Sequence, residues 1–209
     1  MILIGMDFSI QSPGICIEYL NEFSFITIQR KIKEDYKEIL NNSGVFVEEI
    51  QEKENFKGTT ITEIERGNSK DALLLSNTIY ETIFPYFLED HNIKIGIEGL
   101  SFMSRGNIIS QFSGYHYVLR NTLNKIIPFD NQFLFSPSSI KKLAGKGNFK
   151  KDDMINAFLK ENDNNNELLR EIKKTPEKFQ NRNGKWKKPL DDLVDSYWVL
   201  KKLKEEIKE

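Results

Sequence analysis

The chain has 209 residues, 39% of them hydrophobic and 29% charged. That is enough for one domain with a real core and too little for two large ones. The apolar N-terminus lacks a basic leader and carries Asp7, and no later stretch is long and uncharged enough to cross a bilayer, so neither a signal peptide nor a membrane span is expected. The single cysteine, Cys16, offers no internal disulfide and no metal-ligand pattern, which fits a reducing, cytoplasmic setting. A net charge of −1 covers an asymmetry: residues 141–188 hold 14 Lys and Arg against 7 Asp and Glu, and the remainder is acidic. Such a local basic field can attract nucleic acid even though the total charge is near zero.

In chain order, residues 1–8 read as an apolar strand with Ile2, Ile4 and Met6 on one face and Leu3, Gly5 and Asp7 on the other. Ser12-Pro13-Gly14 marks a turn, and residues 15–20 and 23–28 complete a three-stranded antiparallel meander. Residues 31–68 are polar and weakly periodic. They read as an insertion with room for a short helix near 35–40 and a strand near 59–64. Ser69 is placed to cap a helix bearing Ala72, Leu75, Ile79 and Ile83, which Pro85 should kink or end. A strand at 93–98, helical spacing over 108–127 and a strand at 132–136 follow. A short basic helix comes next, then a helix striped by Met154, Ile155, Phe158 and Leu159, and a final helix from Pro189 onward. This order implies an α/β fold with a mixed five-stranded sheet, three antiparallel strands then two parallel, flanked by helices.

Three carboxylate positions matter because of where they fall. Asp7 ends the first strand and Glu98 ends the fourth. If those strands are parallel neighbours, the two acids stand side by side. Asp191, Asp192 and Asp195 lie in the first turns of the last helix, and at about 100° per residue they border its packed face. Like charges held together are unfavourable unless a cation joins them. Hard oxygen ligands select Mg²⁺ or Mn²⁺, and two such ions about 4 Å apart can drive phosphodiester hydrolysis. Singly, each acid also suits a turn, a solvated strand end or a helix N-terminus. Their joint arrangement is what points to chemistry.

The residues also resemble a known family. Ile4-Gly5-Met6-Asp7-Phe8-Ser9 with Ser12-Pro13-Gly14 is similar to the first motif of RuvC-type Holliday junction resolvases, and Ile97-Glu98-Gly99-Leu100-Ser101-Phe102-Met103 to the second. Ser136-Pro137-Ser138-Ser139-Ile140-Lys141-Lys142, with Gly145-Lys146-Gly147 and Lys150-Lys151, resembles the basic segment before the last acids. Asp192-Leu193-Val194-Asp195-Ser196 is similar to the closing Asp-x-x-Asp-Ala motif, with Ser196 in place of Ala.

The resemblance implies one RNase H-like domain over the whole chain with an added segment at 31–68. It also implies a homodimer acting on branched DNA and two Mg²⁺ ions, for which Mn²⁺ can substitute. It carries metal-ligand and catalytic roles onto Asp7, Glu98, Asp192 and Asp195. The doublet leaves Asp191 and Asp192 as rivals for the third position, with Asp192 preferred. It gives Phe102 the role of a wedge between bases, although one residue is added between Glu98 and Phe102. A phage or viral member would work in the host cytoplasm.

Lys141, Lys142, Lys146, Lys150 and Lys151 are candidates to neutralise phosphates, with Gly145 and Gly147 allowing close approach, and Arg105 is a further candidate. The spacing is not that of a Walker loop. The expected activity is Mg²⁺-dependent cleavage of four-way junctions or other branched DNA. Rival readings are an RNase H-like nuclease for flaps, single strands or hybrids, an actin-like ATPase relative, and a non-catalytic DNA-binding protein. The ATPase reading expects Gly-rich phosphate loops that Ser12-Pro13-Gly14 matches poorly. The non-catalytic reading has no need of four acids.

Overall fold

A computed structural model describes residues 1–51, 60–99 and 107–208. Period-two alternation builds its sheet. In β1 (Ile2–Asp7), Ile2, Ile4 and Met6 face one helical layer and Leu3 the other. In β2 (Gly14–Tyr19), Ile15 and Ile17 share the first face while Cys16 takes the second. β3 (Glu22–Gln29), β5 (Ile93–Glu98) and β6 (Gln132–Phe135) complete the expected five strands. Pairing is antiparallel from β1 to β2 and from β2 to β3, and parallel from β1 to β5 and from β5 to β6. This is the mixed arrangement, three antiparallel strands followed by two parallel ones, anticipated from the sequence.

With a further strand, β4 (Val45–Glu49), the sheet has six strands instead of five, in the order β4-β3-β2-β1-β5-β6. This edge strand pairs in parallel with β3 and follows α1 (Glu34–Asn41). Its apolar run, Val45-Phe46-Val47, is only three residues long before Glu48 and Glu49, and only Val45 and Val47 of it are buried. The strand anticipated near 59–64 does not form where the chain is described. Thr60 caps a helix, accepting from the Glu63 amide while Glu63 accepts from the Thr60 amide at 2.8 Å. That reciprocal pair outweighs the strand preference of the β-branched run.

The resulting α2 (Ile61–Glu89) begins before Ser69, whose hydroxyl donates to the Glu65 carbonyl in mid-helix. It also continues through Pro85 instead of ending there. Pro85 is exposed, so the carbonyl it deprives of a partner can turn to water, while Ile83 beside it stays anchored in the core.

Helices α2 and α3 (Asn107–Leu123) cover one face of the sheet. The other face carries α4 (Pro137–Ala144), α5 (Lys151–Phe158), α6 (Glu167–Lys174) and α7 (Leu190–Glu206). Among the described residues, no helix is long and apolar enough to cross a membrane.

Helix α7 lies against the sheet at backbone distance. A Cβ on Gly5 would overlap the Ser196 carbonyl oxygen and the Leu200 amide, and one on Gly14 would overlap the Asp192 carbonyl. Gly96 extends the same seat, since a Cβ there would stand 3.2 Å from Val199 Cγ1. The far end of α7 is tied down by Lys204, whose ammonium donates to Glu18 Oε1 at 2.6 Å.

Gly5→Ala should therefore destabilise the fold by about 1–3 kcal/mol or more, because backbone atoms have to give way. Gly114→Ala is the matched control: the position is helical and open, and the change should stabilise by about 0.5–1 kcal/mol. Denaturant melts of both variants check the opposite signs, and equal effects would contradict the close seating of α7.

Candidate active site

Asp7 shares the face of Leu3 and Gly5, and Glu98 shares that of Gly96, so both acids point to the side on which α7 sits. The parallel register pairs Met6 with Ile97, which brings the two acids to neighbouring strand ends. Helix α7 starts over Gly14, which itself pairs with Asp7, and its first turns deliver Asp192 and Asp195 to the same place. Three elements distant in sequence thus converge at the carboxyl ends of β1 and β5.

The electrostatics report that convergence. Burial, then Glu98, Asp195 and Asp192 in that order, push the Asp7 carboxyl well above its ordinary range. Burial raises Glu98 to about 7, with Asp192 adding to the rise and Lys141 and Lys151 opposing it. Burial and then Glu98 raise Asp195 to about 7. Asp192 is raised by burial and by Asp191, while a hydrogen bond from Ser12 and the nearby Lys188 and Lys151 hold it down. Asp192 acts on both strand acids, whereas Asp191 acts on Asp192 and Asp195.

Four carboxylates from three elements, each disfavoured as an anion, form a hard-oxygen donor set suited to a divalent cation. Asp191 Oδ1, buried without a hydrogen-bond partner, is a further oxygen that a cation would satisfy. Among the described residues, no three His, Cys, Asp or Glu side chains stand close enough together to hold a metal ion as they are placed. Cationic side chains approach instead: Lys151 pairs with Asp191 and lies 3.8 Å from Asp192, and Lys188 lies 3.5 Å from Asp192.

The basic candidates separate. Lys151 belongs to the acidic centre: burial works against its charge, but the hydrogen bond to Asp191 and the surrounding carboxylates prevail and raise its pKa. Lys141, in the last turn of α4, stands near enough to lower Glu98. Lys142, Lys146 and Lys150 are exposed. Gly145 leaves room for the Phe149 ring, which a Cβ would meet at 2.5 Å, so protein already occupies that space. Phe102 and Arg105 lie outside the described residues.

Three contacts were not evident from sequence. Ser12 orients Asp192 from the turn between β1 and β2, and Lys188 pairs with the same acid. His116 is buried and kept neutral by burial, and its Nε2 lies 3.1 Å from the Glu98 carbonyl, which can only accept. The ring therefore donates there and fixes the backbone of the β5 acid, packed edge-on against Phe8. The four-residue spacing of Phe112 and His116 on α3 was the available signal.

No protein-family model matches the chain, and no curated protein matches it. Solved structures similar to it include Thermus thermophilus RuvC, at 11% identity and TM-score 0.44, covering 95% of this chain and 92% of that one. T. thermophilus RuvC in complex with a Holliday junction substrate matches at 8% identity and TM-score 0.43, covering 95% and 91%. The yeast mitochondrial Holliday junction resolvase Ydc2 matches at 17% identity and TM-score 0.46, covering 95% and 75%.

The acids have a signed consequence for stability. Their folded-state pKa values lie above the unfolded values of about 4, so without metal the folded chain holds protons that the unfolded chain has released. This contribution is full below about pH 4 and is lost as pH rises to about 7. In a chelator, wild-type melting temperature should fall across that window more than that of Glu98→Gln, and Mg²⁺ at neutral pH should restore the wild type more than the variant. Parallel pH profiles for the two proteins would contradict the assignment.

Proposed function

We propose that the protein is a structure-specific DNA endonuclease that cleaves four-way junctions or other branched DNA by phosphodiester hydrolysis. The observation that carries this reading is the gathering of Asp7, Glu98, Asp192 and Asp195 at one sheet edge, where burial and mutual repulsion oppose their charge. The four motifs in family order support it. Asp7, Glu98, Asp192 and Asp195 would hold two Mg²⁺ ions, with Mn²⁺ as a substitute. When bound, such ions supply an activated water as nucleophile and stabilise the leaving oxygen.

The chain's own residues do the positioning. Ser12 fixes the orientation of Asp192, and His116 fixes the backbone at Glu98. Lys151 and Lys188 offset the acids' repulsion and release them as cations or phosphates arrive. Lys141, Lys142, Lys146 and Lys150 draw the phosphate backbone toward the acids. The resemblance would give Phe102 the wedging of bases, and Arg105 is a candidate for a phosphate contact. A homodimer, meeting along α3, matches the approximate two-fold symmetry of a four-way junction and allows paired cuts.

Asp7→Asn and Glu98→Gln should each abolish cleavage of a synthetic four-way junction in Mg²⁺ while keeping the fold and junction binding. Wild-type rates from either variant would remove the acids from catalysis. A flap, a linear duplex and an RNA–DNA hybrid assayed in parallel define the substrate, and preference for any of them over the junction would redirect the reading to another nuclease of this fold.

A further inference from the structure

A groove of about 1050 Å³ adjoins the acidic centre. One wall is the chain leaving β3, from Gln29 to Lys33, with Tyr36 of α1, and the other is the loop leading into α7. Ser12 and Lys188 line this groove and also contact Asp192, so it opens directly onto the acids.

Apart from Lys188, which already faces Asp192, its cations divide into two sets. Arg30 is held by Asp71 through two hydrogen bonds of 2.9 Å, and Lys187 donates to the Lys178 carbonyl at 2.8 Å with its ammonium over the Tyr36 ring. These two build the walls. Lys31, Lys33 and Arg182 are exposed and pair with no carboxylate among the described residues. Asp35 is the acidic residue of the lining, and one of its oxygens already accepts from the Tyr36 amide. Unpaired cations along a concave wall focus a positive potential toward its mouth.

The strand order shows what such a potential serves. Strands β3, β1, β5 and β6 all run in the same direction, and their carboxyl ends form one edge. Along that edge the groove lies at β3, the acids at β1 and β5, and Lys141 after β6. A polyanion laid on the edge meets cations on both sides of the acids.

We propose that this groove is a second DNA-binding surface, in which Lys31, Lys33 and Arg182 hold the sugar-phosphate backbone on the β3 side of the reacting phosphate. The proposal rests on the nuclease reading and gives the segment after β3 a role: it builds a wall of the DNA channel. The basic segment from Lys141 to Lys150 holds the other side.

The test is the salt dependence of binding to a fluorescent four-way junction, measured by anisotropy on the full chain carrying Glu98→Gln. Lys31→Ala, Lys33→Ala and Arg182→Ala combined should lower the slope of log affinity against log salt by about 2–3, at about 0.9 per phosphate contact on duplex. Gln11→Lys, which adds a cation to the groove, should steepen the slope by up to about 0.9. It decides the matter should the triple variant melt early. Unchanged slopes in these variants, beside a reduced slope in Lys146→Ala with Lys150→Ala, would overturn the groove and leave the nuclease reading standing. Changed slopes in a protein whose wild type cuts no DNA would keep the groove and overturn the nuclease reading. Absence of binding to any DNA would overturn both.

Discussion

The structure depends on one close contact, the backbone of α7 laid against the glycines of the central strands. Gly5 and Gly14 admit the helix to a distance that any side chain would forbid, and Ser196 is small and fully buried at the same seam. The helix then has one available height and register. Since Asp192 and Asp195 ride on its first turns, that register also sets where they stand relative to Asp7 and Glu98. Packing thus does the work of holding four carboxylates together against their repulsion, and the energy stored in that repulsion is what a cation can recover. His116 on the opposite face and Ser12 in the turn add directional hydrogen bonds to a geometry the packing has already fixed.

Charge is organised along the same edge. The near-zero net charge combines a basic 141–188 segment with an acidic remainder, and Lys151 and Lys188 turn inward against Asp191 and Asp192. Surface lysines in pairs of this kind would contribute little to stability. Here they meet carboxylates with side chains only 9% and 5% exposed, so they offset a repulsion that water cannot screen well. Such lysines can exchange one anionic partner for another, which suits a site where phosphates must enter.

Much of this was legible in the sequence. Isolated acids at the ends of apolar strands, Asp7 and Glu98, are conspicuous because the alternation around them is clean, and the same alternation gives the order of five strands. What escaped were features with a short or competing signal. The three-residue run Val45-Phe46-Val47 is too short to announce β4, and the Thr60–Glu63 capping pair lies in a run whose β-branched residues suggest a strand. Pro85 reads as a break until its exposed position on α2 is known. Ser12 and His116 are ordinary residues whose partners, Asp192 and Glu98, are distant in sequence, so only the folded chain brings them into the site.

Whether these acids gather metal is open to direct observation. Crystals of the full chain soaked in Mn²⁺ and measured at the manganese absorption edge should show anomalous density among Asp7, Glu98, Asp192 and Asp195, with side chains drawn inward from Lys151 and Lys188. The same density should vanish in Glu98→Gln crystals treated identically. Manganese bound elsewhere, with the four carboxylates still turned to their lysines in a protein that cleaves DNA, would contradict the account.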